Sequence, residues 1–195
     1  MFMLKDAVKD YITGKENFRL FKEEKELMAS DEVLPVSIAA EEETGYNRFS
    51  DAYIERVHKE TEELISEETA AVFLKQPIRF LKENKQEFIY LESEALDIIK
   101  ADALTFEEDD VFKTYTVLLG LRQPKKKGNE IKEFLRQELK DESSAFQLMF
   151  NDKDGLWDLN FTLNNLKDFD ENISFGEAYE LIYRLLFRLV TAVEK

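Results

Sequence analysis

Along most of the chain, apolar positions recur at intervals of three and four, the spacing that lines one face of an α-helix. Leu4, Ala7, Val8, Tyr11 and Ile12 form such a stripe, and Gly14 is placed to stop it. Phe18, Phe21, Leu27 and Met28 form a weaker one, and residues 30–49 read as an irregular connection. Ser50 suits a helix N-cap, because its hydroxyl can accept a bond from a first-turn amide. Phe49 and Ile54 flank it with the spacing of a hydrophobic staple. The helix this predicts runs to about Glu67 and buries Ile54, Val57, Leu64 and Ile65. Pro77 suits the first turn of a short helix through Ile78, Phe80 and Leu81. Phe88, Leu91, Ala95, Ile98 and Ile99 form the next stripe. Thr105-Phe-Glu-Glu108 has the form of a capping box, and predicts a helix burying Val111, Phe112, Tyr115, Leu118 and Leu119. Gly120 stands where the left-handed residue ending that helix is wanted.

The clearest linker is Arg122 to Asn129, where Asn129 can cap a helix over 130–140; if the chain has two subdomains, they divide at 121–129. Residues 146–166 support two readings. Phe146, Leu148 and Phe150, then Trp157, Leu159, Phe161 and Leu163, alternate about a turn at Asn151–Gly155, which is a hairpin pattern. Leu156, Leu159, Leu163 and Leu166 are instead spaced as a helix, which is preferred because Asn164-Asn165 would sit poorly in a strand. The last helix is the plainest. Ser174-Phe-Gly-Glu177 is a second capping box, and the apolar run beyond it leaves only a narrow stripe of Glu177, Glu180, Arg184 and Arg188. Such a helix belongs at the centre of a protein, or offers part of its surface to a homodimer. The fold class predicted is therefore all-α: a compact multi-helix single domain with a central apolar C-terminal helix, and a short β-hairpin within 146–163 as the alternative there.

Composition narrows the function more than the fold. With 27 basic and 42 acidic residues the net charge is −15, a field that repels nucleic acid and anionic membranes as partners. The absence of cysteine excludes disulfides, thiolate nucleophiles and zinc–thiolate sites. The start, Met1-Phe-Met-Leu-Lys5-Asp6, turns charged at once and shows no signal peptide, so a cytoplasmic location is expected.

Candidate chemistry is sparse. No two glycines are spaced for a phosphate-binding loop. On the helix expected from Ser50, the single histidine His58 shares a side with Glu55 and Glu62, but the second Glu-x-x-His motif of a dimetal bundle is missing. Asp152-Lys-Asp-Gly155 resembles the middle of a calcium loop with Phe150 and Phe161 where ligands belong. Asp168, Asp170, Asn172 and Glu177 come closer, as a calcium or other divalent-cation loop two residues short; the competing account is an acidic approach to a helix N-terminus. Trp157 with Asp154 and Asp158, and Phe49 with Tyr53, combine aromatic and polar groups in the manner of an interaction surface. The function these features favour is a non-enzymatic protein-interaction or regulatory role with an unidentified protein partner. A divalent-cation-dependent enzyme or sensor is the alternative.

Three phrases, Arg48-Phe-Ser-Asp-Ala-Tyr-Ile-Glu55, Lys59-Glu-Thr-Glu-Glu63 and Asp154-Gly-Leu-Trp-Asp-Leu-Asn160, resemble an uncharacterised family of small acidic proteins from Gram-positive bacteria. The resemblance covers most of the chain. Some members of that family carry the label branched-chain aminotransferase, which would imply pyridoxal phosphate. No phosphate cup or Schiff-base lysine for that cofactor can be picked out in this sequence.

Overall fold

In a computed structural model, residues 3–15, 18–29, 41–139 and 146–194 are described. The chain runs through α1 (Leu4–Ile12), β1 (Arg19–Leu20), α2 (Lys22–Ala29), β2 (Glu41–Glu42) and α3 (Gly45–Arg48). It continues through β3 (Tyr53–His58), β4 (Leu64–Thr69), α4 (Ala70–Phe73), α5 (Phe80–Glu83), β5 (Glu87–Glu92), α6 (Ala95–Ile98), β6 (Ala101–Glu108) and β7 (Tyr115–Leu121). It finishes with α7 (Gly128–Glu138), β8 (Phe146–Asn151), β9 (Leu156–Thr162) and α8 (Phe175–Glu194).

The fold is mixed α/β, which corrects the all-α expectation. Seven antiparallel strands form one sheet in the order β4-β3-β5-β6-β7-β9-β8, and β1 and β2 pair separately. The helix expected from Ser50 to Glu67 is the β3–β4 hairpin, and the Ser50 hydroxyl donates to the Asn47 carbonyl at the end of α3 instead (2.9 Å). The expected helix after Thr105 is β6, a turn and β7. Period-two burial wins here: Leu104, Phe106 and Glu108, then Tyr115, Val117, Leu119 and Leu121, all point inward. Val111 and Phe112, expected in a core, sit at the turn, 79% and 77% exposed. The Asp109 carboxylate holds that turn by accepting from the amides of both (2.8 and 2.7 Å). The preferred helix over 146–166 is the β8–β9 hairpin, with Gly155 left-handed (φ 71°) in its turn. Part of the expected connection, 30–40, lies outside the described residues. The strands on either side of the 121–129 junction, β7 and β9, are hydrogen-bonded neighbours in the one sheet.

The sheet has a dry face and an open one. Ile54, Leu91, Leu104, Leu119, Leu159 and Leu148 face one another across six strands and make one row of the core. Helices pack on this side: Phe175 and Tyr179 of α8 meet Phe106, and Phe80 of α5 lies under the Arg56 guanidinium. The Trp157 ring occupies the space above Gly128, where any Cβ would come within 2.4 Å of it.

α8 is the central helix that its sequence indicates, with both ends pinned. At its start the Ser174 hydroxyl accepts from the Glu177 amide (3.2 Å), while the Glu177 carboxylate accepts from the Ser174 amide (2.8 Å), a reciprocal capping box. At its end Glu194 accepts from the Leu4 amide of α1 (2.7 Å) and pairs with Lys100. The polar stripe is stapled to neighbours: Glu180 accepts from the Gly45 amide, Arg184 grips Glu23 of α2, and Arg188 reaches Glu138 of α7. Against α8, with no side chain exposed, lies Arg48. Its guanidinium donates twice to Glu24 (2.8 and 2.7 Å), once to Glu43 (3.3 Å) and once to the Tyr183 hydroxyl (3.0 Å).

Candidate functional site

One residue along from the leucine row, the same strands present a different row to solvent: Glu67, Glu55, Tyr90, Thr105, Leu118, Asn160 and Gln147. This is the open face, and strand alternation puts these side chains there because their neighbours are committed to the core. At its β3–β5 end the register places Tyr53 opposite Glu92 and Glu55 opposite Tyr90. Two rings and two carboxylates therefore alternate at the corners of a square, each ring beside a carboxylate on its own strand and another across the ladder.

The hydroxyls are tied to those carboxylates. Tyr53 donates to Glu55 on its own strand and lies 3.4 Å from Glu67 on β4. Tyr90 donates to Glu92. The bond to Glu55 raises the Tyr53 hydroxyl's pKa above its ordinary value, with burial and the charges of Glu55 and Glu67 adding to it. Burial first, then the bond to Glu92 and the charges of Glu92, Glu55 and Asp102, pushes Tyr90 up to about 12. Both tyrosines are therefore neutral rings with their hydroxyl edges turned to carboxylates.

Tyr53, Tyr90 and Glu92 of the square line a groove of about 650 Å³, whose remaining charged lining is Asp51, Glu94, Asp97, Asp102 and Arg122. Arg122 is bound to Asp102 and 3.6 Å from Asp97, so the one cation among the described lining residues is already held by carboxylates. The bulge between Ala101 and Leu104 sets Asp102 over Gly120 of β7, where an added Cβ would come within 3.2 Å of the Asp102 carboxylate. A second, more neutral depression of about 440 Å³ lies toward the other end of the face, between Glu107, Thr116, Asn160 and Phe112.

The structure separates the residues that the sequence marks for interaction. Tyr53 (42% exposed) stands on the open face and belongs to the square. Asp158 also lies on the open face, opposite Gly120 and Met149. Asp154 is in the β8–β9 turn, accepting from the Asn151 side chain (2.9 Å). Phe49 and Trp157 are core residues: Phe49 is fully buried against Tyr179 and Tyr183, and Trp157 packs edge-on to Phe150.

The marked cation loop is put to another use. Asp170 accepts from the backbone and side-chain amides of Asn172 (2.7 and 2.8 Å), and Glu177 turns back onto Ser174. The bonds from Ser174 hold the Glu177 carboxyl below its ordinary range. Asp168 is exposed. Among the described residues no three His, Asp or Glu side chains are grouped to hold a metal ion. His58 and Glu55, expected on one helix face, are an odd number of residues apart on β3, and Glu62 sits left-handed in the hairpin turn.

Tyr90 and Glu92 are the residues that helical periodicity misses. Their signal is the alternation Phe88-Ile89-Tyr90-Leu91-Glu92, which places both on one face of a strand. Among the described residues no helix is long and apolar enough to cross a membrane. No family model, no curated protein and no solved structure matches the chain.

Proposed function

We propose that this chain is a non-catalytic interaction protein that seats a lysine- or arginine-bearing segment of a protein partner on the open face of its sheet. The observation that carries the reading is the square of Tyr53, Glu55, Tyr90 and Glu92. A ring face attracts an ammonium or guanidinium group through its quadrupole, and a flanking carboxylate adds a charge-assisted hydrogen bond. Both kinds of group alternate here at cross-strand distance, at the side of a groove whose other acidic lining repels anions. The square is built on a sheet whose far side is packed core, so the groups are held in place before a ligand arrives.

The test is titration calorimetry with short unstructured peptides of equal length, one lysine- and arginine-rich, one acidic. The basic peptide binds and the acidic one does not. Glu55→Gln/Glu92→Gln and Tyr53→Ala/Tyr90→Ala each weaken binding by about tenfold or more, the loss of one to two kcal/mol expected for such contacts. A charge-matched control, Glu130→Gln/Glu133→Gln on α7, removes the same two charges from another part of the molecule and leaves affinity within about twofold at moderate salt. Equal losses in the control and the open-face variants would reduce the effect to bulk charge and end the proposal.

A further inference from the structure

The two outer edges of the sheet are unlike each other. β4 bears Glu67 and Glu68 and meets β3 through a bulge between Arg56 and Val57. Charge and irregularity of that kind are how an edge strand is protected from pairing with another chain. β8 has neither. Its six residues, Phe146-Gln-Leu-Met-Phe-Asn151, carry no charge in a chain of net −15, and it pairs with β9 without a register shift. Among the described residues nothing pairs with its outer side. Phe146, Leu148 and Phe150 continue the core face to this edge and are left half-buried there, and Met149 on the open face is 67% exposed.

We infer that two copies of this chain join edge to edge through β8, antiparallel about a two-fold axis at Leu148, to form one continuous fourteen-stranded sheet. Antiparallel partners must present the same face, so the residue on the axis faces itself and every other pair sums to the same register. Centred on Leu148, Phe146 of one copy faces Phe150 of the other on the core side, Leu148 faces Leu148, and Gln147 faces Met149 on the open side. Every pair is uncharged. The register keeps the half-buried apolar row in line with the core rows already present and covers its outer flank. With β4 protected, each copy has one such edge, so the contact closes as a dimer rather than running on as a fibre. The long-range repulsion between two chains of this charge opposes the pairing and is screened by salt.

Sedimentation velocity across a wide concentration series tests this. The wild type sediments as a dimer of the 23.0 kDa chain, with association strengthening as salt is added. Gln147→Lys/Met149→Lys sets lysine against lysine twice across the axis and weakens association by about tenfold or more, with the melting temperature unchanged at dilutions where both chains are monomeric. Gln147→Lys/Met149→Glu sets opposite charges against each other in this register and restores the dimer. A wild type that stays monomeric throughout, a lysine pair without effect, or a charge-complementary pair that fails to restore association would each overturn the inference.

Discussion

Arg48 offers the sharpest test of what holds the helical layer to itself. Its side chain is wholly buried beside two carboxylates, and the rings of Tyr11, Phe21 and Tyr183 surround the guanidinium at 4.5, 4.8 and 5.1 Å. Burial opposes its charge, but Tyr183 and Glu24 outweigh burial and raise its pKa, so it is a cation at every workable pH. Arg48→Met keeps the volume and removes three bonds to carboxylates, leaving Glu24 buried with only the Phe21 amide and Tyr183 hydroxyl as donors (2.8 and 2.6 Å). Breaking a buried pair by deleting one partner costs about 3–5 kcal/mol. At roughly 2–4 °C per kcal/mol for a chain of this size, the melting temperature should fall by roughly 6–20 °C. Glu24→Gln/Arg48→Met, which removes the Glu24 charge and leaves Glu43 as the one stranded carboxylate, should recover part of that loss, because deleting both members of a buried pair costs less than deleting one. Urea melts of wild type, both single variants and the double variant supply the cycle. A drop of under about 3 °C for Arg48→Met, or additive single losses in the double, would mean that the network contributes little.

Four further outcomes follow from the geometry. Gly45→Ala drives a methyl to 1.9 Å from the Gly176 carbonyl in the backbone of α8, so it should destabilise well beyond the usual helix preference for alanine, read as a lowered melting temperature. Ser174→Ala should cost about 1 kcal/mol through loss of the cap on α8. Because the folded-state pKa of Glu177 is depressed, its contribution is present above the ordinary glutamate range and is lost as pH falls through the lower folded value, so Glu177→Gln should flatten the acid limb of a stability profile. Tyr90, raised to about 12, has the opposite sense: its contribution is intact below about pH 10 and is lost as pH rises toward 12, and Tyr90→Phe should make the alkaline limb shallower.

How much of this was legible in the chain depends on which period each segment obeys. α1 and α8 are long amphipathic or apolar runs with clear boundaries, and their spacing identifies them. β6 and β7 defeat that reading because Thr105 to Glu108 satisfies a capping box by composition, while Val111, Phe112, Tyr115, Leu118 and Leu119 happen to fall at helical intervals. What decides the matter is the Asp109 turn and pairing with β5 and β9, neither of which is a local property. The square on the open face was half visible for the same reason. Tyr53 stands out as an aromatic among polar residues, but its partners Tyr90 and Glu92 lie on another strand, and only the β3–β5 register brings them together. The Glu24–Arg48 pair left no trace in periodicity at all, since a buried ion pair between α2 and α3 breaks the rule that core positions are apolar.

The position of α8 along the chain has a consequence for biosynthesis. All seven strands of the main sheet leave the ribosome before residues 175–194, the helix that covers the middle of their dry face. Until those residues emerge, a nascent sheet would carry its leucine row and the rings of Phe106 and Tyr115 uncovered, and the N-terminal amide of Leu4 would lack the Glu194 carboxylate that anchors it. Burial of that face is therefore expected only once residues 175–194 have emerged, and the interval before it is when an arrested chain would most need a chaperone. Stalled products ending before Phe175 should be captured by holdases, while those extending past the exit tunnel beyond Glu194 should resist protease.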